Sequence, residues 1–153
     1  NNGLVDKVLI RWNFLGHDSK RAKEQVLKLP LNSQYKAITF VTYDDFIDDD
    51  VLLHLVTKAS GSVCIDGPCS AITGTGLLRV FEMVCRGGKK EVTVCNASTF
   101  TINALVNLAY HKHIIYYLDR LLKFTDAESG AVMTMARAPS RSYTVIITPG
   151  VTE

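Results

Sequence analysis

Hydrophobic positions recur along the chain with two periods, about two residues in some stretches and about 3.6 in others, and the two kinds alternate. Residues 7–15 (KVLIRWNFL) predict a strand. Residues 17–29 predict a helix opened by Asp18 or Ser19 and closed by Pro30. Residues 35–43 (YKAITFVTY) are β-branched and aromatic, hence a strand. Residues 44–59 begin with acids, which suit a helix N-terminus, and carry Val51, Leu52, Leu55 and Val56 at helical spacing. SVCID (62–66) is a short buried strand, and 67–76 a loop. From there Leu77, Leu78, Phe81, Val84 and Cys85 mark one helix face, ended at Gly87-Gly88.

EVTVCNA (91–97) reads as a strand, followed by a helix capped by Ser98 or Thr99 with Ile102, Leu105, Val106 and Ala109 inward. IIYYL (114–118) is a further strand, and RLLKFTDAESG (120–130) a short helix or turn. AVMTMARA (131–138) and SYTVIIT (142–148), joined by Pro139-Ser140-Arg141, predict a terminal hairpin at one edge of the sheet. Strands separated by helices imply right-handed crossovers. The expectation is one α/β domain over 1–153, with five or six strands in a mostly parallel sheet. The runs VCI and VTVC suggest strands covered on both faces.

Composition adds exclusions. Seventeen Lys+Arg against fifteen Asp+Glu give a net charge of +2, without the clustered basic excess of a nucleic-acid binder, so no nucleic acid is expected as partner. No apolar run approaches the roughly 20 residues of a membrane span, and no secretory pattern opens the chain. Cys64, Cys69, Cys85 and Cys95 lack C-x-x-C spacing, and His17, His54, His111 and His113 complete no zinc pattern. Buried free thiols in a reducing, cytoplasmic compartment follow, with no cofactor and no metal.

Ligands of α/β sheets meet the loops beyond the carboxyl ends of strands, which directs attention to Asp66, Gly67, Ser70, Thr73, Gly74, Thr75 and Gly76. Three glycines and several hydroxyls there open onto a helix whose amides attract anions. Ile65-Asp66-Gly67-Pro68 followed by a Gly-Thr pair resembles P-loop kinases, but Gly67 to Gly74 is too long for G-x-x-x-x-G and no Lys follows. Gly74-Thr75-Gly76 is half a dinucleotide fingerprint, with Arg79 at the third glycine position. The plain alternative is that Thr73 and Thr75 cap the helix while Gly74 and Gly76 shape the turn.

A wider pattern runs through Ser62–Leu122: a buried strand, Ile72-Thr73-Gly74-Thr75-Gly76-Leu77 entering a helix, the Gly87-Gly88 turn, EVTVCNAS, then TFTINALVNLAYHKHIIYYLDRLLKF. This pattern resembles the STAS domain of bacterial anti-sigma-factor antagonists. With the upstream strand-helix unit AITFVTYDDFIDDDVLLHLVTKA it covers about residues 36–124, leaving 1–35 and 125–153 as extensions. The family motif is Asp-Ser-Ser-Gly-Leu-like; here Thr73 replaces the Asp and Gly74 the first Ser, while Thr75 stands where the family is phosphorylated. The resemblance implies helices mainly on one face and a non-catalytic, regulatory protein-interaction module. Its partner would be a kinase that doubles as an anti-sigma factor, switching partners through Thr75. Two other functions stay open: a nucleotide or small-ligand site, even an enzyme, at the same loop, and a structural subunit of a larger assembly using the terminal hairpin as a sheet-edge contact.

Other groups have plainer roles. Cys69 with His111 or His113 as base would form a nucleophilic pair, but ordinary buried cysteine and helix-end histidine suffice, so no catalytic residue is assigned. Asp44, Asp45, Asp48, Asp49 and Asp50 read as a solvated helix start or an edge for a basic partner rather than an EF-hand. Trp12 is expected in the core, and one of Tyr116 and Tyr117 at the surface.

Overall fold

Burial in the strands is one-sided. In Ala37–Thr42, Ile38, Phe40 and Thr42 are buried while Ala37, Thr39 and Val41 are only half-buried. The same alternation buries Val63 and Ile65 in Ser62–Asp66, and Val92 and Val94 in Glu91–Ala97. The computed structural model describes residues 7–12, 19–28, 36–43, 45–87, 90–109, 114–118, 121–139 and 142–150. In chain order these form β1 (Lys7–Trp12), α1 (Ser19–Leu27), β2 (Ala37–Thr42), α2 (Asp49–Lys58), β3 (Ser62–Asp66) and α3 (Gly74–Cys85). Then come β4 (Glu91–Ala97), α4 (Thr99–Ala109), β5 (Ile114–Leu118), β6 (Leu121–Thr125), β7 (Val132–Arg137) and β8 (Tyr143–Thr148). Among them no helix is long and apolar enough to cross a membrane.

Local chemistry sets the helix ends. Asp48 caps α2 by accepting from the Val51 N–H at 3.1 Å, Asp49 and Asp50 occupy the positive first turn, and Lys58 the negative last turn. The helix therefore starts at Asp49, and Asp45, Phe46 and Ile47 precede it as a packed loop with Phe46 and Ile47 buried. α3 ends where Gly87 takes a φ of 120°, a left-handed conformation costly to residues bearing a Cβ.

The eight strands form one sheet in the order β1-β2-β3-β4-β8-β7-β6-β5. The class is α/β, but the sheet is mixed rather than mostly parallel: β1 to β4 pair in parallel, and every pairing from β4–β8 to β5–β6 is antiparallel. The β7–β8 hairpin forms as expected, with the Ala138 N–H donating to Ser142 O at 2.8 Å, yet it lies inside the sheet and not at its edge. β8 joins β4 through Val92↔Ile147 and Val94↔Val145, and β7 joins β6. The segment expected as a short helix or turn is strand β6 followed by a turn. Its Leu122 and Phe124 are buried at a period of two, opposite Met135 and Met133. Leu121, Leu122 and Phe124 fit either period over so short a run, and pairing with β7 decides it.

Three successive parallel crossovers advance in one direction, so right-handed connections place α1, α2 and α3 on the same face. α4 packs beside α3, and the helices abut in the order α1–α2–α3–α4. The core lies between this layer and the sheet, built on Ile38, Phe40, Leu52, Leu55, Leu77 and Phe81, with Phe40 and Phe46 edge-to-face at 6.1 Å. The strands read as covered on both faces are covered on one. On the open side Cys64, Thr93 and Cys95 are half-buried, and Leu9 and Ile146 are 54% and 37% exposed. The VCI and VTVC runs look continuously apolar only because thiols and a threonine methyl face the open side.

Candidate functional site

The parallel strands β2, β3 and β4 end together, and the loop after β3 folds back over those ends. Gly67 is required there: a Cβ on it would clash with the carbonyl oxygen of Thr42. The Gly67 carbonyl accepts from Asn96 Nδ2 at 3.0 Å and from the Cys69 thiol at 3.2 Å, which ties the loop to β4. Further on, the buried Thr101 hydroxyl donates to Ile72 O at 2.8 Å. Thr101 is itself held by Ser98, whose Oγ lies 2.8 Å from that hydroxyl and accepts the Thr101 N–H at 3.0 Å. Of the two expected caps for α4, Ser98 is thus the one the structure uses.

Two carboxylates pin the other side. Asp45 accepts from Ser70 through both oxygens, from the N–H at 3.3 Å and from the hydroxyl. Asp49 accepts the Thr73 N–H at 2.8 Å and the Thr73 hydroxyl at 2.5 Å. Thr73 in turn caps α3, its Oγ1 accepting the Gly76 N–H at 3.1 Å. A Cβ on Gly76 would fall inside van der Waals contact with the Asp49 carboxylate, and one on Gly74 would lie 2.7 Å from Leu105 N in α4. Neither glycine has a positive φ. The Gly-Thr-Gly sequence therefore serves close approach to α2 and α4 rather than an unusual turn. It also means that the electropositive start of α3, where an external anion would bind, holds an internal carboxylate.

The structure thus brings Gly67, Ser70, Thr73, Gly74 and Gly76 into one anchored loop. Thr73 is the cap, while Thr75 is exposed in the first turn of α3 and caps nothing. Asp66 ends β3 with an exposed side chain, and its carboxylate makes no hydrogen bond or ion pair with the described residues.

Cys69 is buried, and burial, reinforced by Asp45, Cys95 and Asp66, pushes its thiol up to about 12. Burial likewise pushes Cys95 up to about 11, with Cys64 and Asp66 adding to it. Such thiols are poor nucleophiles at neutral pH. His111 and His113 lie outside the described residues, as do Asp44 and the side chains of Trp12, Tyr116 and Tyr117. The remaining acidic residues have internal duties: Lys23 Nζ lies 2.6 Å from Asp48 Oδ2 and 2.8 Å from Asp50 Oδ2. Those contacts raise the pKa of Lys23 and lower that of Asp50. Among the described residues no group of three His, Cys, Asp or Glu is placed to hold a metal ion.

One cleft opens beside the loop. About 440 Å³ in volume, it is lined by Val41, Thr42, Tyr43, Asp66, Gly67, Pro68 and Asn96. Sequence reasoning singled out Asp66 and Gly67 but missed Tyr43 and Asn96. The available signal was position: both sit at the carboxyl end of a parallel strand, one residue past β2 and near the end of β4.

Compared with protein-family models, curated proteins and solved structures, the chain matches none. The likeness to STAS domains therefore rests on the quoted sequence pattern.

Proposed function

We propose that the chain is a non-catalytic protein-interaction module whose working surface is the loop 67–76 and the first turns of α3. One observation carries this reading. The loop's anchoring groups are satisfied from inside by Asp45, Asp49, Asn96 and Thr101, while Pro68, Ser70, Ala71, Thr75 and Arg79 stand exposed along its rim. A rigid rim of mixed polarity, beside thiols held protonated, suits recognition better than turnover. The STAS resemblance adds a switch. A phosphoryl group on Thr75 would bring about two negative charges next to Gly76, whose backbone lies against the Asp49 carboxylate. Repulsion would loosen the Asp49–Thr73 anchor and change the rim that a kinase-like partner grips.

The test is photo-crosslinking in cells with a photoreactive amino acid at position 71 or 75. A control carries it at position 128, on the turn between β6 and β7, at the opposite end of the strands from the loop. The expected result is a discrete adduct from 71 and from 75, absent from 128, with the adduct from 71 lost when Thr75→Glu is added. Adducts from none of the three would end the interaction reading. An adduct that survives Thr75→Glu would keep the module and remove the switch.

The cleft favours a second reading, a small-ligand protein. Asp49 argues against a nucleotide phosphate at the start of α3, so ATP and GTP should leave the melting temperature unchanged. A nucleotide-dependent rise would favour the ligand reading instead.

A further inference from the structure

We propose that the cleft between β2, β3 and β4 receives the guanidinium group of an arginine from the partner protein; this deepens the interaction reading above and rests on it. The argument begins with the aspartates around the carboxyl ends of the strands. Asp45 is bound to Ser70, Asp48 to the α2 N-terminus and Lys23, Asp49 to Thr73, and Asp50 to Lys23. The Asp66 carboxylate alone among these has no hydrogen bond or ion pair with the described residues, although it lines the cleft.

The other lining groups complete a site for a planar cation. Asn96 donates through Nδ2 to Gly67 O, and a carbonyl accepts only from the NH₂ end. That bond fixes the amide and leaves its Oδ1 as an acceptor on a residue that lines the same cleft as Asp66. Among the described residues no Lys, Arg or His lines the space, and the Asp66 carboxylate makes it favour cations over anions. Tyr43, 83% exposed at the mouth, offers a ring face on which a guanidinium stacks. Val41 and Pro68 supply apolar wall for the methylene stem. A lysine ammonium would satisfy the charge, but the arginine fork can address two acceptors while lying flat on a ring.

The test uses the whole chain, labelled with ¹⁵N and titrated with Nα-acetyl-arginine N-methylamide. Its neutral isostere, the citrulline derivative, and spermidine are titrated in parallel. The arginine probe should produce saturable amide shifts at Tyr43, Asp66, Gly67 and Asn96, and the citrulline probe none. Asp66→Asn should weaken binding about tenfold, the equivalent of roughly 1.4 kcal/mol for one charge-assisted contact. Because the Asp66 side chain is exposed and has no hydrogen bond or ion pair with the described residues, that variant keeps its fold, which its unperturbed spectrum elsewhere verifies. Tyr43→Ala, also at an exposed position, should weaken binding by a smaller factor. Equal shifts with citrulline, no shifts with arginine, or an Asp66→Asn variant that binds arginine as well as wild type would each overturn the proposal. Spermidine binding without arginine binding would overturn the protein source and assign the cleft to a free polyamine. Crosslinking at position 71 together with an inert arginine probe defeats this inference alone. Arginine binding without any crosslinked protein leaves the cleft chemistry standing and defeats the interaction reading.

Discussion

If the Asp49 carboxylate occupies the start of α3, then alanine at position 76 should have opposite effects depending on residue 49. Glycine is a poor helix former, and Gly76→Ala in an unobstructed helix stabilises by roughly 0.5–1 kcal/mol. In the native protein, however, the new methyl would overlap all three terminal atoms of Asp49. The carboxylate would have to leave, giving up the Thr73 N–H at 2.8 Å and the Thr73 hydroxyl at 2.5 Å. Hydrogen bonds to a charged acceptor contribute about 1.5–3 kcal/mol each, and Thr73 is exposed enough for water to replace part of that, so a loss of about 2 kcal/mol is reasonable for the pair. Gly76→Ala alone should then destabilise by about 1–1.5 kcal/mol, and Asp49→Ala alone by about 2 kcal/mol. In the Asp49→Ala background, Gly76→Ala should stabilise by roughly 0.5–1 kcal/mol, giving a coupling near 2 kcal/mol. Equilibrium urea denaturation followed by far-UV circular dichroism reads all four proteins of the cycle. A Gly76→Ala effect of the same sign and size in both backgrounds would refute the idea that an internal carboxylate fills this position.

Other expectations follow from the same contacts. Gly74→Ala places a methyl 2.7 Å from the Leu105 amide nitrogen, where backbone must yield, and should cost about 1–3 kcal/mol in urea denaturation as α3 and α4 spread apart. Cys69 should resist alkylation at neutral pH until the chain unfolds, because burial pushes its thiol up to about 12; mass spectrometry after native and denatured labelling checks this. Burial and then Lys58 lower the pKa of His54, whose buried Nε2 has no hydrogen-bond partner among the described residues. As pH falls, the unfolded chain protonates before the folded one. Its contribution is thus full above the ordinary value of 6.5 and is lost below it. His54→Leu should flatten that acid limb in melting curves measured against pH. Lys23 lowers the pKa of Asp50, so the pair's contribution is present at neutral pH and fades as acid protonates the carboxylate. Carbon-detected NMR should show the Asp50 midpoint returning to the ordinary range in Lys23→Ala.

The parallel half of the fold was legible because its signals are local. The alternation in 37–42, the helical spacing of Val51 to Val56 and the glycine at 87 each report on neighbours within a few residues. The antiparallel half was less so: β6 is five residues long, and nothing inside LLKFT distinguishes a strand from a helical turn until Met133 and Met135 are opposite it. The loop was recognised by its composition, but the reason for its glycines was hidden. Asp49 and Leu105 stand 27 residues before and 29 residues after Gly76, and only the packing of three helices makes them its neighbours or those of Gly74. For the same reason the cleft was half seen. Asp66 and Gly67 belong to one segment, whereas Tyr43 and Asn96 arrive from other strands.

The position of β8 has a consequence for synthesis. It is the last of the eight strands in chain order, yet it is the piece that joins β4 to β7 and so the parallel half to the antiparallel half. Until residues 143–148 have left the ribosome, β4 and β7 each present an unpaired edge, with buried-type residues such as Val92, Val94, Met133 and Met135 behind them. A chain that has emerged only as far as residue 142 is therefore two half-sheets with open edges, the state in which strands pair with the wrong neighbour. The arrival of β8 is an insertion between two waiting edges, so the nascent chain depends on residues 143–148 to close both of them.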